Sequence, residues 1–221
     1  MEFTGAEADF YDFGLKIITL GLIRTLRKKV SRLVPKHGKI LDVGCGTGSQ
    51  LIEIKKENPE LECIGADISE DMLKIARKKS KKANLKIKFI RKRMSEMEFK
   101  KNSFDSVIAT LALHEVSREE REKAVKTIFK VLKPNSSLII MDFYKAKGIM
   151  RIIQRMIFRK FEEHAEEFIH SRENLFNKFN FRKVYSKKSF GMISIEVWEK
   201  RFEGNVIRGI KHMSRKPLPN L

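Results

Sequence analysis

The stretch Lys39-Ile40-Leu41-Asp42-Val43-Gly44-Cys45-Gly46-Thr47-Gly48 decides how this chain is read. A short apolar strand runs directly into a glycine turn, and residues 47 to 57 then carry a helical pattern. Glycines at such a place let the backbone bend sharply and approach a ligand without Cβ interference, beneath the amino end of a helix. A nucleotide-like ligand is implied. Counted from Gly44, the dinucleotide pattern G-x-G-x-x-G fails, because Ser49 stands where the third glycine belongs and Gly48 falls one place early. That argues against a nicotinamide dehydrogenase. A phosphate-binding P-loop fails too: no Gly-Lys-Ser/Thr follows, and Asp42 would repel phosphates. The loop suits a cationic ligand. Asp67 closes the next predicted strand 19 residues beyond Gly48, near the ~20-residue offset at which a carboxylate meets ribose hydroxyls.

Outward from the loop the pattern alternates. Strands are expected at 39 to 43, 61 to 66, 86 to 91, 104 to 111 and 136 to 143, with helices at 47 to 57, 69 to 83 and 117 to 132. Strands alternating with helices imply βαβ units and a parallel sheet buried on both faces. Upstream, Phe10, Phe13, Ile17, Leu20, Ile23, Leu26, Val30 and Leu33 recur at steps of three and four, as on one face of a leader helix or helix pair. Downstream, Ile149, Ile152, Ile153, Met156, Ile157 and Phe161 form an apolar stripe beside Arg151, Arg155, Arg159 and Lys160, a basic amphipathic helix. A second helical run to about Phe179 follows, then two β-like segments, 182 to 190 and 194 to 202, that make an antiparallel hairpin. The organisation expected is a helical cap over 1–34, a ligand-binding core over 35–145, a helical lid over 146–180, a hairpin completing the sheet over 181–203, and a basic tail over 204–221.

The chain has 221 residues, 42% of them hydrophobic and 34% charged, enough apolar material for one sizeable core with a lid. Lys plus Arg number 47 against 28 Asp plus Glu, a formal charge of +19, and such a field favours an anionic partner: nucleic acid, an anionic membrane surface or an acidic small molecule. Cys45 and Cys63 are too few for a disulfide framework and sit in no zinc-spaced cluster, and His164 and His170 are spaced for no metal, so no metal site is expected. A reducing, cytoplasmic setting fits, with a peripheral place at the membrane as an option. The amino terminus is acidic and does not read as a secretory signal. The longest apolar-rich stretch, 13 to 23, is interrupted by Lys16 and falls short of the roughly 20 residues that span a bilayer.

Residues 38 to about 145, with Tyr11-Asp12 upstream, resemble a class I S-adenosylmethionine-dependent methyltransferase, and most closely the ubiquinone/menaquinone biosynthesis methyltransferase-like family. The resemblance rests on Ile40-Leu41-Asp42-Val43-Gly44-Cys45-Gly46-Thr47-Gly48, on Asn102 to Val107 before the fourth strand, and on Leu132-Lys133-Pro134-Asn135 before the fifth. It implies a Rossmann-like, mostly parallel seven-stranded sheet with helices on both faces and an antiparallel C-terminal hairpin. It further implies S-adenosylmethionine as cofactor, with Gly44, Cys45, Gly46 and Gly48 around the methionine portion, Asp42 near its ammonium and Asp67 on the ribose. Ile68, Met72, Arg93, Met94, Ser95 and Leu111 are then expected to complete the nucleoside site. One departure stands out: the family's usual Gly-Asp-Ala, whose acid accepts from the adenine amine, is Lys92-Arg93-Met94 here, and Arg93 cannot accept that bond.

Methyl transfer from a sulfonium needs an acceptor held in line and, for some acceptors, a base. His114, after the fourth strand, suits a general base or a residue that orients the pocket. Asp142 and Tyr144 end the fifth strand, a place that suits either a group facing the acceptor or a simple sheet-end cap, and the resemblance makes Tyr11 a cap over the cofactor. The acceptor implied is a small lipophilic, quinone-like molecule, with the 149 to 161 helix as a lid. Two alternatives remain: an RNA methyltransferase using the basic surface, and a cofactor-binding or membrane-associated module without turnover. Against RNA, Thr110 to Glu115 carries no Asn-Pro-Pro-Tyr-like signature, and no appended RNA-binding domain is evident.

Overall fold

The computed structural model describes residues 23–161, 164–189 and 191–201. Seven strands lie in one sheet: β1 (Lys39–Val43), β2 (Glu62–Asp67), β3 (Lys88–Arg91), β4 (Phe104–Thr110), β5 (Leu132–Phe143), β6 (Phe181–Ser189) and β7 (Ile193–Lys200). Their order is β3-β2-β1-β4-β5-β7-β6. The first five pair in parallel, while β7 runs antiparallel to β5 and to β6. This is the seven-stranded, mostly parallel arrangement with a C-terminal hairpin that the sequence implies.

The helices are α1 (Ile23–Leu33), α2 (Ser49–Glu57), α3 (Glu70–Lys82), α4 (Arg118–Val131), α5 (Ile149–Phe161) and α6 (Ala165–Lys178). They divide between the two faces because each strand alternates. On one face Ile40, Ile108, Ile139 and Met141 pack with Leu26 and Val30 of α1, Leu51 and Ile54 of α2, and Leu73 of α3. On the other, Leu41, Val107, Leu138 and Ile140 pack with Val125 and Ile128 of α4 and Phe168 and Phe176 of α6. Sequence marks the helix starts. Ser69 accepts from the Met72 amide at 3.3 Å, with Glu70 and Asp71 in the first turn, and Ser117 accepts from Glu120, so each helix dipole meets a cap and acids.

Three element starts differ from expectation by two residues or more. The helix after the glycine loop begins at Ser49, two residues late, because Gly48 at φ 71 ends the loop in a left-handed turn. β3 begins at Lys88. The fifth strand begins at Leu132 rather than 136, because Leu132 already pairs with Phe104 across an irregularity in the β4 register. Of the leader pattern, 23–33 is helical as expected; Phe10, Tyr11, Phe13, Ile17 and Leu20, and the tail over 204–221, lie outside the described residues. No helix among the described residues is long and apolar enough to cross a membrane.

Candidate active site

In open α/β sheets ligands sit outside the carboxyl ends of the strands where the order reverses, here between β1 and β4. A cleft opens at that point. The loop after β1 is anchored to β2: the amides of Gly44 and Cys45 both donate to the Ala66 carbonyl, at 2.9 and 3.1 Å. Asp67 finishes the clamp, its carboxylate accepting from the Gly46 amide at 2.7 Å and the Ser69 amide at 2.9 Å. From α3, Lys79 reaches back to donate to the hydroxyls of Thr47 and Ser49.

Two glycines are required for different reasons. A Cβ on Gly44, at φ +67, would stand 2.5 Å from the Ala112 Cβ, so the close approach of the two loops needs glycine. A Cβ on Gly46, at φ +49, would meet nothing within 4 Å, so that position is open on the ligand side.

Asp42 is the chemically telling residue. It is 1% exposed, it lines the cleft, and neither carboxylate oxygen has a hydrogen-bond partner among the described residues. Burial first, and the Asp67 carboxylate second, push its pKa well above the usual carboxylate range, while Arg27 pulls the other way. Burial likewise raises Asp67 against the pull of its backbone amides, and burial pushes the Cys45 thiol up. An acid held like this is completed by a cation.

Of the residues expected from sequence, Asp42, Gly44, Cys45, Gly46, Asp67 and Ile68 line this cleft, and Met72, Arg93, Met94 and Leu111 join them. Gly48 sits behind the loop, against Phe89 and Ala76. Ser95 is set back from the cleft, donating to Glu120 at 2.6 Å. His114 and Asp142 do not line it either. They form a buried pair, 2% and 0% exposed, with His114 Nδ1 2.6 Å from Asp142 Oδ1, an oxygen that also accepts from the Phe143 amide. His114 lies edge-on to Phe143, ring centroids 4.8 Å apart. The pair arises because the turn after β4 falls beside the end of β5, where Thr110 is in register with Met141.

The lining also includes polar residues that were not expected at the site from sequence, among them Arg27 of α1, Gln50 of α2, Glu115 after β4 and Glu120 of α4. Gln50 donates to the Arg27 carbonyl at 3.1 Å, fixing α1 against the loop. The leader periodicity placed Arg27 on a helix, but nothing local aimed it at the glycine turn. Arg121, also missed, is 1% exposed and donates to the carbonyls of Leu113 and Val116, both at 2.7 Å, and to Glu167, so it pins the turn that carries Glu115.

Residues 40–135 match the family model described as a methyltransferase domain. A demethylmenaquinone methyltransferase of Thermus thermophilus is 30% identical over 153 residues, 68% of this chain and 69% of that protein. This chain belongs to the class I S-adenosylmethionine-dependent methyltransferases, among the ubiquinone/menaquinone-type members. The ubiquinone/menaquinone biosynthesis C-methyltransferase of Rickettsia prowazekii is 33% identical over 152 residues, 65% of this methyltransferase and 60% of its own length. In fold, this methyltransferase superposes on a protein of Pyrococcus horikoshii with a TM-score of 0.67 at 23% identity, covering 81% of this chain and 89% of that one. An S-adenosylmethionine-dependent methyltransferase of Methanosarcina mazei gives 0.65 at 21% identity, covering 79% and 97%.

The cleft fits the cofactor. The amino-acid end of S-adenosylmethionine is a zwitterion beside a sulfonium; the unpartnered Asp42 oxygens suit its cationic groups and Arg27 suits its carboxylate. Each Asp67 oxygen accepts one backbone amide and keeps capacity for a ribose hydroxyl. Arg93, which cannot accept from an adenine amine, is instead 3.5 Å from Glu96, and Glu120 is the lining acid beside Ser95 that can accept in its place.

Asp42→Asn separates stability from binding. A carboxyl whose folded pKa is raised binds more protons folded than unfolded, so the ligand-free protein loses stability as pH rises from about 4 through the raised value. Neutralising Asp42 is expected to raise the ligand-free melting temperature at neutral pH by about 2–4 °C, some 1 kcal/mol in a chain of this size. It should also weaken S-adenosylmethionine binding by about tenfold or more, read by calorimetry, and flatten the gain in affinity with rising pH. The two glycines divide differently. Gly44→Ala is expected to cost on the order of 2–4 kcal/mol of stability in denaturant melts, whereas Gly46→Ala should cost about 1–2 kcal/mol and reduce cofactor affinity more than Gly44→Ala does relative to its stability loss.

Proposed function

We propose that this methyltransferase acts on a small, lipophilic, quinone-like acceptor, methylating a ring carbon by in-line displacement. The observation that carries this reading is the pairing of one polar cofactor end, Asp42 and Arg27, with an apolar wall, Ala112 and Val116, on the same cleft. The names of the Thermus and Rickettsia relatives point to the same acceptor class. When bound, S-adenosylmethionine supplies an electrophilic methyl group on a positively charged sulfur.

The chain's own contribution is placement. Asp42, Arg27 and the Asp67 clamp fix the polar end of the site, and the apolar wall excludes water and holds a flat ring. A ring carbon becomes nucleophilic when an adjacent hydroxyl loses its proton, and Glu115 is a carboxylate on the cleft wall within that loop. His114 acts beneath the wall: bonded to Asp142, it holds the 111–116 turn from behind, as Arg121 does from the α4 side. In this reading His114 is a positioning residue.

Turnover tests the assignment. With S-adenosylmethionine and a reduced demethylated naphthoquinol, S-adenosylhomocysteine should accumulate at least tenfold faster than without acceptor. Turnover on RNA with none on the quinol overturns the reading. His114→Ala is expected to lower kcat by less than about tenfold, leave cofactor affinity unchanged, and lower the melting temperature by several degrees as Asp142 loses its partner. A drop of 10²-fold or more in kcat, with the acid limb of the pH–rate profile abolished, would instead make His114 the base.

A further inference from the structure

α5 is packed on one side and carries large apolar residues on the other. Its inner side is seated by Gln154, 0% exposed, which accepts from the Ala146 amide at 3.1 Å and donates to the Tyr144 carbonyl at 2.8 Å. Phe158 packs on Phe143, centroids 5.0 Å apart, and Arg151 is held by Gln154 and Glu166. Those contacts fix which way the helix faces. The opposite side carries Ile149, Ile152, Ile153 and Met156, at i, i+3, i+4 and i+7, and they are 68%, 58%, 41% and 70% exposed. Of the large hydrophobic residues exposed among those described, only Val184 lies elsewhere. A contiguous face of this kind in water marks an interaction surface.

Charge decides what it meets. From 144 to 160 the chain has six bases, Lys145, Lys147, Arg151, Arg155, Arg159 and Lys160, and no acid. Arg155 and Arg159 are exposed along the edge of the apolar face and pair with no acid among the described residues, and Lys145 and Lys147 are exposed at the helix's amino end. Exposed Lys188 of β6 lies over the Tyr144 ring at 5.0 Å, adding charge to the same end. Large aliphatics in the middle with cations at the rim is the pattern that lies in a lipid interface, apolar side chains among the acyl chains and cations at anionic head groups.

We propose that the outer face of α5, centred on Ile152 and Met156 and edged by Arg155 and Arg159, docks this methyltransferase on an anionic lipid surface. The inference does not rest on the acceptor, since a docking face is read by binding alone, but it would bring the cleft to a compartment where lipophilic acceptors are concentrated.

The full chain is sedimented with vesicles of phosphatidylcholine containing 30% phosphatidylglycerol, and with pure phosphatidylcholine vesicles. Binding to the anionic vesicles and little to the neutral ones is expected. Arg155→Gln with Arg159→Gln should lower the partition coefficient about 30-fold, at roughly a fivefold loss for each cation near the surface. Ile152→Ser with Met156→Ser should abolish binding while leaving S-adenosylmethionine affinity unchanged, which shows the variant is folded. Failure of the unaltered chain to bind anionic vesicles overturns the proposal. So does equal binding to neutral vesicles, or a dimer in gel filtration that the Ile152→Ser, Met156→Ser variant dissociates, which would give the face to a second copy. Neither result bears on quinol turnover, so the two readings fail separately.

Discussion

The Asp67 carboxylate accepts from the Gly46 amide on one oxygen and the Ser69 amide on the other, and the upper edge of the sheet is arranged around that pair of bonds. They join the glycine loop, the end of β2 and the cap of α3 into one unit, so the loop is held open before any ligand arrives. Lys79 closes the unit from behind through Thr47 and Ser49. A loop that must take its bound shape only on binding would lose that ordering cost from its affinity; this one has met the cost in folding. The clamp also explains why Asp67, though buried, keeps acceptor capacity: two backbone donors occupy only part of a carboxylate's lone pairs.

The rest of the site is built from groups that destabilise the protein taken alone. Asp42 is buried without a partner among the described residues, and Leu111 adopts a left-handed conformation, φ 51, at the cleft wall, where its amide is held by the Met141 carbonyl. Each costs on the order of 1–3 kcal/mol. Such a site survives only where its surroundings are over-determined. Arg121 supplies that on one side, donating to two loop carbonyls and to Glu167 while stacking on Phe168 at 4.6 Å. Arg172 does so on the other, bonded to the Phe143 carbonyl and 3.2 Å from Glu196. These two buried arginines link the loop after β4 and the end of β5 to α6, so the helices of the carboxyl half act on the site from a distance.

What the sequence disclosed follows from how local each signal is. The glycine loop, Asp42 and Asp67 lie within thirty residues of one another and were readable because turn geometry and strand-end acids depend only on neighbouring residues. The sheet was readable for the same reason, as strand alternation repeats along the chain. Arg27 and Glu120 reach the cleft only through packing of α1 and α4, and neither carries a motif, so no spacing pointed to them. The His114–Asp142 pair is an intermediate case. Each residue was marked by its place at a strand end, but their contact follows from β4 lying beside β5, and the burial that removes His114 from the cleft wall depends on Phe143 and the packing beneath it.

The excess of positive charge takes on a different meaning once its distribution is known. Many of the acids are spent holding the fold: Glu122 on Lys178, Glu166 on Arg151, Glu167 on Arg121, Glu196 on Arg172 and Glu199 on Arg182. The unmatched cations are therefore left at the surface, where alone they would serve any polyanion equally well. A nucleic acid would neutralise Arg155 and Arg159 but would offer little to Ile149, Ile152 and Met156, which would stay in water beside it. Those side chains gain from a partner that is apolar a few ångströms behind a negatively charged layer. The α5 face has that order of chemistry across its width, and this juxtaposition, more than net charge, is what favours a lipid surface over RNA as its partner.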